Sequence, residues 1–482
     1  MTGVSTGTGD DASTVHAGSH HLAIVGGTVW TPFGMVENGT VYIEGERVVG
    51  IEWGAKHLPS RFEVLDAAGK LVLPGLIDTH SHHRDPGFTN KEDISSATRA
   101  AAAGGVTTTV GMPNVEPPTT TLERYLEVMT RYQAKAVVDF NLNPAPTDLA
   151  SVPGLARAGA LGFKVFMIID SKRGYPHMPG LGITDEGQLL EIFEAVGATG
   201  RPLMVHPHNQ ALMTLSERRA FEEEDRGPMA YVRAQRFYDG LVWDTAIQTL
   251  LSFQMATAAR LHALHLVTKP SIDGVRAAKG EGRPVTSEVN GFALLLGSEE
   301  IIAERGARAV GRWVPDDVQD ALWSGITEGV VDVFGSDHAP HTLEEKAQGG
   351  EDMWKTPTGV PQLQDYLAKL LTVGVNRGRI DLDDLVRLTS YNVAKIFGLY
   401  PKKGTIEPGS DADIVVVDPG LELVLHDEDA LTKSGWTPYH GDTVRGAPIH
   451  TLVRGRVVMR DRVVSTDAEG WGRQAAPSIP KS

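Results

Sequence analysis

The middle of this chain alternates short apolar runs with amphipathic helical patterns, and this alternation restricts the fold more than any other feature of the sequence. The runs are Leu71–Asp78, Val106–Met112, Ala136–Asn143, Gly162–Met167, Pro202–Pro207, Arg260–Val267, Pro284–Asn290 and Val331–Asp337. Helical patterns such as "TLERYLEVMTRYQAKA" separate most of them. Strands that alternate with helices are typical of a parallel sheet. Eight such units predict an α/β protein with a (β/α)8 TIM-type barrel.

The two ends of the chain have a different pattern, with short β-rich runs and glycine breaks. "HLAIVGGTVWT" stands near the start, and "ADIVVVDP" and "RVVMRDRVV" stand near the end. We expect one small β-sandwich domain built from residues 21–72 and 402–466, beside a barrel of residues 73–401. Residues 1–20, rich in Ser, Thr and Gly, predict a disordered leader, and residues 467–482 predict an extended tail.

Composition excludes several classes of function. The chain has 482 residues, a formal net charge of -16 and no cysteine. The negative charge argues against a nucleic-acid or anionic-membrane partner, since either needs a basic face. No apolar run reaches the roughly 18 residues of a membrane span. Without a secretory signal pattern, a cytoplasmic location is expected, and any metal site must use histidine and oxygen ligands.

Ionisable residues lie within or at the carboxyl ends of five predicted strands. They are His80 and His82, Lys164, His206, His265 and Asp337. Any one of these alone is more simply explained as a hydrogen-bonded core histidine or a turn cap. Active sites of such barrels form at the carboxyl ends of the strands, however. The joint pattern therefore predicts that these side chains converge on one site.

The stretch "PGLIDTHSHHRDPG" supplies the first two of these histidines. In an extended strand His80 and His82 face one way, and His83 faces the other. Neutral imidazole suits zinc and similar divalent metals. Asp78 has the same inward parity as His80, and a position below the metal ligands would let it support them.

Lys164 is unusual because it stands inside the apolar run "GFKVFM". Burying a charged ammonium is costly, and nearby metal cations would repel it. A neutral amine can instead add CO2 and form a carbamate, an anionic ligand with two oxygens. A lysine in such a run usually extends its charged end to the surface or has a lowered pKa. A carbamate at Lys164 would instead be able to bridge two metal ions.

Five longer motifs resemble the cyclic amidohydrolase branch of the amidohydrolase superfamily. They are "DTHSHHRDPG", "AAAAGGVTTTVGMPN", "GFKVFM", "GSDHAPHT" and "SGWTPYHGDTVRGAPIHTLVRGRVV". That branch includes dihydroorotases, hydantoinases, dihydropyrimidinases and allantoinases, and the similarity runs from about residue 22 to about residue 465. It implies a barrel with a flanking β-sandwich, a small cyclic amide as substrate, and a homodimer or homotetramer.

The resemblance also implies the metal ligands. His80, His82 and Asp337 would hold one divalent ion, and His206 and His265 would hold the other, with carbamylated Lys164 between them. The ions are usually zinc, with Mn2+ or Co2+ as alternatives. An activated water would attack the ring carbonyl, and Asp337 would take its proton and pass it to the leaving nitrogen.

In motifs the chain is closest to dihydroorotases, in which three residues hold the substrate carboxylate. The matching positions are Arg84, Asn114 and His341, a sensible carboxylate clamp. If the chain stays extended beyond His82, alternation places Arg84 on the same face as the metal ligands. The alternatives are that Arg84 pairs with Asp85 and that Asn114 is a turn residue.

Other stretches depart from the dihydroorotase pattern. After His206 the chain reads "HPHN", after the seventh strand "EVNGFALLL", and before the next helix "AVGRWVPDD". These changes predict an altered pocket, with Trp313 as a candidate wall and Asn290 as a hydrogen-bond partner of the ring. The long loop containing Tyr175 resembles hydantoinases, where a tyrosine stabilises the oxyanion.

Three alternative functions follow. Hydantoinase or dihydropyrimidinase activity and allantoinase activity share the metal centre and differ in the ring. A non-catalytic scaffold related to dihydropyrimidinases is less favoured because no ligand position is lost. A deaminase is disfavoured by Lys164 and by "GMPN" and "SDHAPHT".

Overall fold

The computed structural model describes residues 21–54, 58–168 and 180–478. The predicted leader, residues 1–20, and Tyr175 lie outside the described residues. The strands are β1 (His21–Thr31), β2 (Gly34–Glu44), β3 (Arg47–Trp53), β4 (Glu63–Asp66), β5 (Leu71–Pro74), β6 (Leu76–Ser81), β7 (Val106–Gly111), β8 (Asp139–Leu142), β9 (Phe163–Phe166), β10 (Leu203–His206), β11 (Leu261–Ala263), β12 (Val285–Asn290), β13 (Val333–Gly335), β14 (Ile414–Val424), β15 (Thr443–Val453), β16 (Arg456–Arg460) and β17 (Val463–Val464).

Helices follow most of the central strands. They are α1 (Ile94–Ala103), α2 (Leu122–Lys135), α3 (Val152–Arg157), α4 (Glu186–Gly197), α5 (Gln210–Ala220), α6 (Pro228–Gln235), α7 (Phe237–Thr257), α8 (Lys269–Gly280), α9 (Gly291–Leu294), α10 (Glu299–Arg305), α11 (Asp316–Thr327), α12 (Leu343–Ala347), α13 (Tyr366–Leu370), α14 (Leu382–Val386) and α15 (Asn392–Ile396). None of the described helices is long and apolar enough to cross a membrane.

The central strands are all parallel, so the protein is α/β as predicted. Each of the eight predicted runs contains one of them. They form a three-stranded sheet, β6-β7-β8, and a five-stranded sheet, β13-β12-β11-β10-β9. A parallel bridge between Ser81 and His338 joins one pair of sheet edges. At the other pair, the Lys164 amide donates to the Pro144 carbonyl over 3.0 Å.

The end of the chain lies against the free edge of β8. Phe140 pairs with Gln474 in a parallel bridge. Its amide donates to the Arg473 carbonyl over 3.0 Å, and its carbonyl accepts from the Ala475 amide over 2.8 Å. These groups of β8 therefore bond to the tail rather than to β9, which explains why the two sheets are separate at this point.

The strands from both chain ends form one mixed sheet of nine strands. Its order is β17-β16-β15-β14-β5-β1-β2-β3, with β4 paired to β1. Apolar side chains of the two halves share a buried cluster that includes Leu22, Ile24, Val41, Ile414 and Val416. The first and last parts of the described chain thus fold as one unit through their common core.

The predicted run Leu71–Asp78 is two strands rather than one. β5 pairs with β1 and β14 in the nine-stranded sheet, whereas β6 pairs with β7 in the central one. The chain crosses between the sheets at Gly75, where a Cβ would lie 2.2 Å from Thr107 Cγ2. Apolar content alone does not reveal this break, because both strands are buried.

Candidate metal centre and active site

Strand alternation orients Lys164 and His206. On β9, Phe163 and Val165 pack into the main apolar core between strands and helices, so Lys164 projects from the opposite face. On β10, Leu203 and Val205 pack in the same way and leave His206, the last residue of the strand, on the opposite face.

The other predicted ligands lie at the carboxyl ends of their strands and converge. Nε2 of His80 and Nε2 of His82 are each 3.4 Å from Asp337 Oδ1. The His265 ring lies 4.9 Å from the His80 ring and 4.8 Å from the His206 ring, centroid to centroid. Ligand atoms of His80, His265 and Asp337 all lie within 4.8 Å of one another. This triad takes members from both predicted ligand sets, so the structure brings the two sets together at one place.

Two of these residues have left-handed backbones. His265 has φ 59° and Asp337 has φ 48°, each two residues beyond the end of its strand. A non-glycine residue in this region costs of order 1 kcal/mol or more, and such strain clusters at functional sites. Here the turn directs the side chain over the strand ends.

The imidazoles are suited to a metal because they are neutral. Burial lowers the pKa of His80, His206 and His265 well below the usual value. Burial alone would raise the pKa of Asp337, but the hydrogen bond and charge of His82, with the charges of Arg312 and Lys164, outweigh it and leave that pKa below normal. Lone pairs on neutral nitrogen and an ionised carboxylate fit a divalent transition metal.

Lys164 is fully buried beside His80, with Nζ 3.2 Å from Nε2 of that ring. Burial lowers the pKa of the ammonium to about 7. In the described part of the chain Lys164 forms no ion pair with a carboxylate. A lysine that is easily deprotonated and points at the ligand cluster fits the chemistry of carbamate formation.

Glu288 on β12 was not among the predicted site residues. Its Oε1 lies 2.7 Å from His80 Nδ1, and its side chain is fully buried. The carboxylate accepts the Nδ1 proton and leaves Nε2 free to face Asp337. The sequence feature that could have identified Glu288 is an acidic residue within the predicted strand "TSEVN", two residues before Asn290.

Other buried polar residues hold the cluster in place. Asn114 Oδ1 lies 2.6 Å from His82 Nδ1, which likewise directs Nε2 of that ring inward. Asp78 accepts from the Ser336 amide over 2.9 Å and from the Ser336 hydroxyl over 2.6 Å. Burial raises the pKa of Asp78 to about 7. His83 is directed elsewhere and contacts the Tyr132 hydroxyl over 2.5 Å.

The expectation for the backbone at Arg84 is wrong. The argument from alternation assumed an extended chain, but β6 ends at Ser81 and Arg84 has φ 60°. The guanidinium still lies near the site, with Nη2 3.3 Å from His341 Nε2 and Nε donating to the Pro340 carbonyl over 3.4 Å. Asp85 does not pair with Arg84, since Lys135 and Arg131 neutralise it.

His341 joins Arg84 to a second cation. Its Nδ1 lies 3.3 Å from Nζ of Lys91, which in turn pairs with Glu345 over 2.5 Å. Arg84 and His341 are therefore adjacent, whereas Asn114 is engaged with His82. Whether the three act together on a carboxylate stays a prediction.

Asn290 has protein partners at both ends of its amide. Its Oδ1 accepts from the Ala293 amide over 3.2 Å, and its Nδ2 donates to Asp337 Oδ2 over 3.2 Å and lies 3.0 Å from His265 Nδ1. These contacts orient two predicted metal ligands. A direct contact of Asn290 with the ring stays a prediction.

Two stretches that depart from the dihydroorotase pattern meet beside His206. The Trp243 ring of α7 lies 5.8 Å from the His206 ring and 5.7 Å from the His208 ring. The Arg312 guanidinium lies 4.7 Å from the centre of the Trp243 ring. Trp313, the predicted wall, instead packs against a separate apolar cluster with Trp354.

Two other groups of potential ligands occur in the described residues. His426, Glu428 and His440 form an exposed group. Asp139, Asp411 and Asp413 form a buried group, but the Lys403 ammonium lies among their carboxylates. Neither group adjoins the strand ends that carry the central cluster.

The sequence matches a family model over most of its length. The model describes the amidohydrolase family and matches residues 71–458. The chain belongs to the amidohydrolase family. The matched range includes the candidate centre and both of the central sheets.

Curated relatives of this amidohydrolase have several activities. It is 32% identical to an L-hydantoinase of Paenarthrobacter aurescens, over 85% of this chain and 88% of the relative. It is 32% identical to a dihydroorotase of Lactobacillus leichmannii, over 89% and 98% respectively. It is 35% identical to an allantoinase of Rubrobacter xylanophilus, over 87% and 90%.

A solved structure is similar over nearly the whole chain. The L-hydantoinase of Arthrobacter aurescens has a TM-score of 0.88 and 29% identity, covering 95% of this chain and 100% of that one. Together these findings confirm the resemblance to the cyclic amidohydrolase branch. These curated relatives of the chain are hydrolases of cyclic amides within the amidohydrolase family.

Proposed function

We propose that this amidohydrolase is a binuclear metal enzyme that opens a cyclic amide, ureide or imide ring and recognises a carboxylate on that ring, as a dihydroorotase does. The observation that carries the proposal is the convergence of four imidazoles, one lysine and one carboxylate at the strand ends. These are His80, His82, His206, His265, Lys164 and Asp337. Arg84 and His341 stand beside them.

His80, His82 and Asp337 would hold one ion, and His206 and His265 the other, with Lys164 as the carbamylated bridge. The donor set fits because the imidazoles are neutral and the lysine is easily deprotonated. When bound, two divalent ions would supply Lewis-acid activation of water and of the ring carbonyl. Zinc is the expected metal, with Mn2+ or Co2+ as alternatives.

Asp337 would move the proton. Its Oδ1 faces both His80 and His82, and Asn290 holds its Oδ2. A carboxylate fixed in this way can accept a proton from the attacking water and deliver it to the leaving ring nitrogen. Glu288 and Asn114 keep the two imidazoles in the tautomer that this arrangement needs.

Arg84 and His341 would hold the substrate carboxylate. The Arg84 guanidinium is buried, and its Nη2 lies 3.3 Å from a ring nitrogen of a neutral histidine. A planar guanidinium is a strong partner for a carboxylate. A hydantoinase or allantoinase function is the second candidate, and the overall similarity to L-hydantoinase favours it.

The proposal includes the larger organisation of the protein. The two parallel sheets would together form one (β/α)8 barrel, covering residues 73–401, with a β-sandwich domain from both chain ends. A homodimer or homotetramer and a cytoplasmic location stay predictions from the resemblance and the composition.

The first test concerns the metals. Chelation should abolish ring hydrolysis, and readdition of Zn2+ or Mn2+ should restore it. The Lys164→Ala variant should lose two-metal loading. A His440→Ala variant serves as the control, so that metal held by the exposed histidines is not counted. Hydrolysis without metal, or full loading of Lys164→Ala, would overturn the proposal.

The second test concerns the substrate. A panel of dihydroorotate, hydantoin, dihydrouracil, allantoin and succinimide should show a preference for the ring with the carboxylate. Arg84→Met should raise KM strongly for dihydroorotate and little for dihydrouracil or hydantoin. An equal rise for all rings would remove the carboxylate role and leave the hydantoinase alternative.

A further inference from the structure

One buried cation beside the candidate centre has no carboxylate partner among the described residues. The Arg312 side chain is nine-tenths buried, and its Nε has no hydrogen-bond partner. Among the residues that the structure describes, no carboxylate forms an ion pair with it. Its close contact is the Trp243 ring, 4.7 Å from the guanidinium carbon. A cation–π contact offsets only part of the cost of burying a charge.

The guanidinium lies close to the predicted metal ligands. The Trp243 ring links them, because it lies 4.7 Å from the Arg312 guanidinium carbon and 5.8 Å from the His206 ring, measured to ring centroids. Metal ions at the predicted ligands would add positive charge beside it. Asp337 supplies a carboxylate to the same centre. No described carboxylate forms an ion pair with Arg312 itself, however, so the position favours an anionic ligand.

His208 completes this group on the same side. Its ring is buried against Trp243, and neither ring nitrogen has a hydrogen-bond partner in the described part of the chain. Buried polar atoms normally have partners, and several unsatisfied ones together indicate a missing ligand. His208 and Arg312 both fall in stretches that depart from the dihydroorotase pattern.

Arg84 differs from Arg312 because its guanidinium already has hydrogen-bond partners within the protein. Arg84 contacts His341 and the Pro340 carbonyl, and Lys91 beside them pairs with Glu345. Arg84 lies after β6, whereas Arg312 follows β12 and its neighbours follow β10. The guanidinium groups of Arg84 and Arg312 therefore lie on segments that follow different strands, and they can bind different parts of a substrate.

We infer that Arg312, Trp243 and His208 form a second anion subsite, which receives a carboxylate on a flexible arm attached to the ring. This inference rests on the proposed function, because the ring itself would be opened at the same centre. The planar guanidinium would bind both carboxylate oxygens, and the His208 ring would donate one further hydrogen bond.

Two isomeric probes test the assignment. Dihydroorotate carries its carboxylate directly on a six-membered ring, whereas hydantoin-5-acetate carries it on a methylene arm. With metal-loaded enzyme, Arg312→Gln should raise KM for hydantoin-5-acetate roughly tenfold to a hundredfold, the effect of losing a charge-assisted hydrogen bond. It should change KM for dihydroorotate and for unsubstituted hydantoin less than about twofold, as expected for a contact that these rings do not make.

A matched control and a stability measurement exclude a merely structural role. Arg308→Gln, in the same segment but paired with Asp427, should leave every KM unchanged. Because Arg312 is unpaired, its loss should leave both metal content and thermal midpoint unchanged or higher. A fall in metal content, or an equal change in KM for both isomers, would overturn the subsite.

Calorimetric Kd values for the same probes separate this inference from the proposed function. If no ring is hydrolysed but Arg312→Gln still weakens hydantoin-5-acetate selectively, the proposed reaction fails and the subsite stands. If hydrolysis occurs and the two Kd values change alike, the subsite fails and the reaction stands.

Discussion

Several buried residues of this amidohydrolase orient the predicted metal ligands by hydrogen-bonding one nitrogen of each imidazole ring. Glu288 is the clearest case, because its carboxyl oxygen accepts a hydrogen bond from His80 Nδ1–H and so leaves Nε2 facing Asp337. Asn114 does the same for His82. The orientation of the predicted ligands thus depends on residues that would themselves never touch a metal.

Replacing Glu288 with Gln should weaken metal binding while preserving the fold. The amide is of similar size but lacks the negative charge that strengthens the His80 imidazole as a ligand. We expect roughly a tenfold to hundredfold loss of metal affinity, measured by competition with a chelator. Glu281→Gln, at an exposed glutamate, is the control. Unchanged affinity in Glu288→Gln would show that the contact does not tune the centre.

Asp365 provides a prediction for pH. Burial raises its pKa to about 6 in the folded protein, although Thr437 donates a hydrogen bond to it. The unfolded chain releases this proton near pH 4, so the contribution of Asp365 to stability falls as pH rises from about 4 to about 6 and stays low above that. Asp365→Asn should therefore gain stability relative to the parent over this window.

The gain should reach about 3 kcal/mol by pH 7. Thermal midpoints of both proteins between pH 4.5 and 7.5 measure it, with Asp225→Asn, at an exposed aspartate, as control. A difference that is constant with pH would contradict the assignment.

The predicted metal ligands lie on or directly after five strands, which are β6, β9, β10, β11 and β13. The pattern of these strands could be predicted from the sequence. Apolar runs separated by helical patterns identified the eight central strands, and alternation within "DTHSHH" separated His80 and His82 from His83. These are short-range properties of strands. They needed no knowledge of the tertiary structure.

What could not be predicted depends on backbone turns and distant partners. The left-handed conformation of Arg84 has no signal in an arginine, a residue that seldom adopts it. The sequence shows that Glu288 stands in a predicted strand, but its contact with His80 is seen only in the folded protein. The pairing of Gln474 with Phe140 joins residues that no local pattern relates.

The contribution of the tail to stability can be tested by one substitution that displaces it from β8. A Cβ at Gly472 would lie 2.1 Å from the Val138 carbonyl oxygen. This oxygen is a backbone atom and cannot easily move away. Gly472→Ala should displace the tail, lower the thermal midpoint by a few degrees and speed amide exchange at Phe140. Gly280→Ala meets no atom within 4 Å and should leave both unchanged. Slow exchange at Phe140 in Gly472→Ala would show that the tail is dispensable.

In the whole molecule, a buried group of charges joins the central strands to the terminal sheet. The Lys403 ammonium lies 2.6 Å from Asp139, at the start of β8, and 2.5 Å from Asp413, just before β14. Arg454 also contacts the Asp139 carboxylate, and its backbone amide donates a hydrogen bond to the Asp413 carboxylate. The two parts of the protein are thus connected by opposite charges as well as by apolar packing.

Removing the central cation should be costly. Lys403→Met leaves buried carboxylates without their partner, a change that typically costs about 3–5 kcal/mol. The free energy of unfolding from urea titration should fall accordingly. Lys402→Met alters the neighbouring but largely solvent-accessible lysine and should change it by less than about 0.5 kcal/mol. Equal effects of the two substitutions would indicate that burial of Lys403 does not matter.

The tail that covers the edge of β8 also has a consequence for how the protein is made. Asn141 and Ala475, whose side-chain amide and carbonyl are hydrogen-bonded, stand 334 positions apart. During synthesis the ribosome has produced all eight central strands long before it reaches residue 474. Until then this edge of β8 has no partner, and an open strand edge can pair wrongly with other chains. The pairing of this edge of β8 therefore waits until residues 473–475 have been synthesised, long after the strand itself.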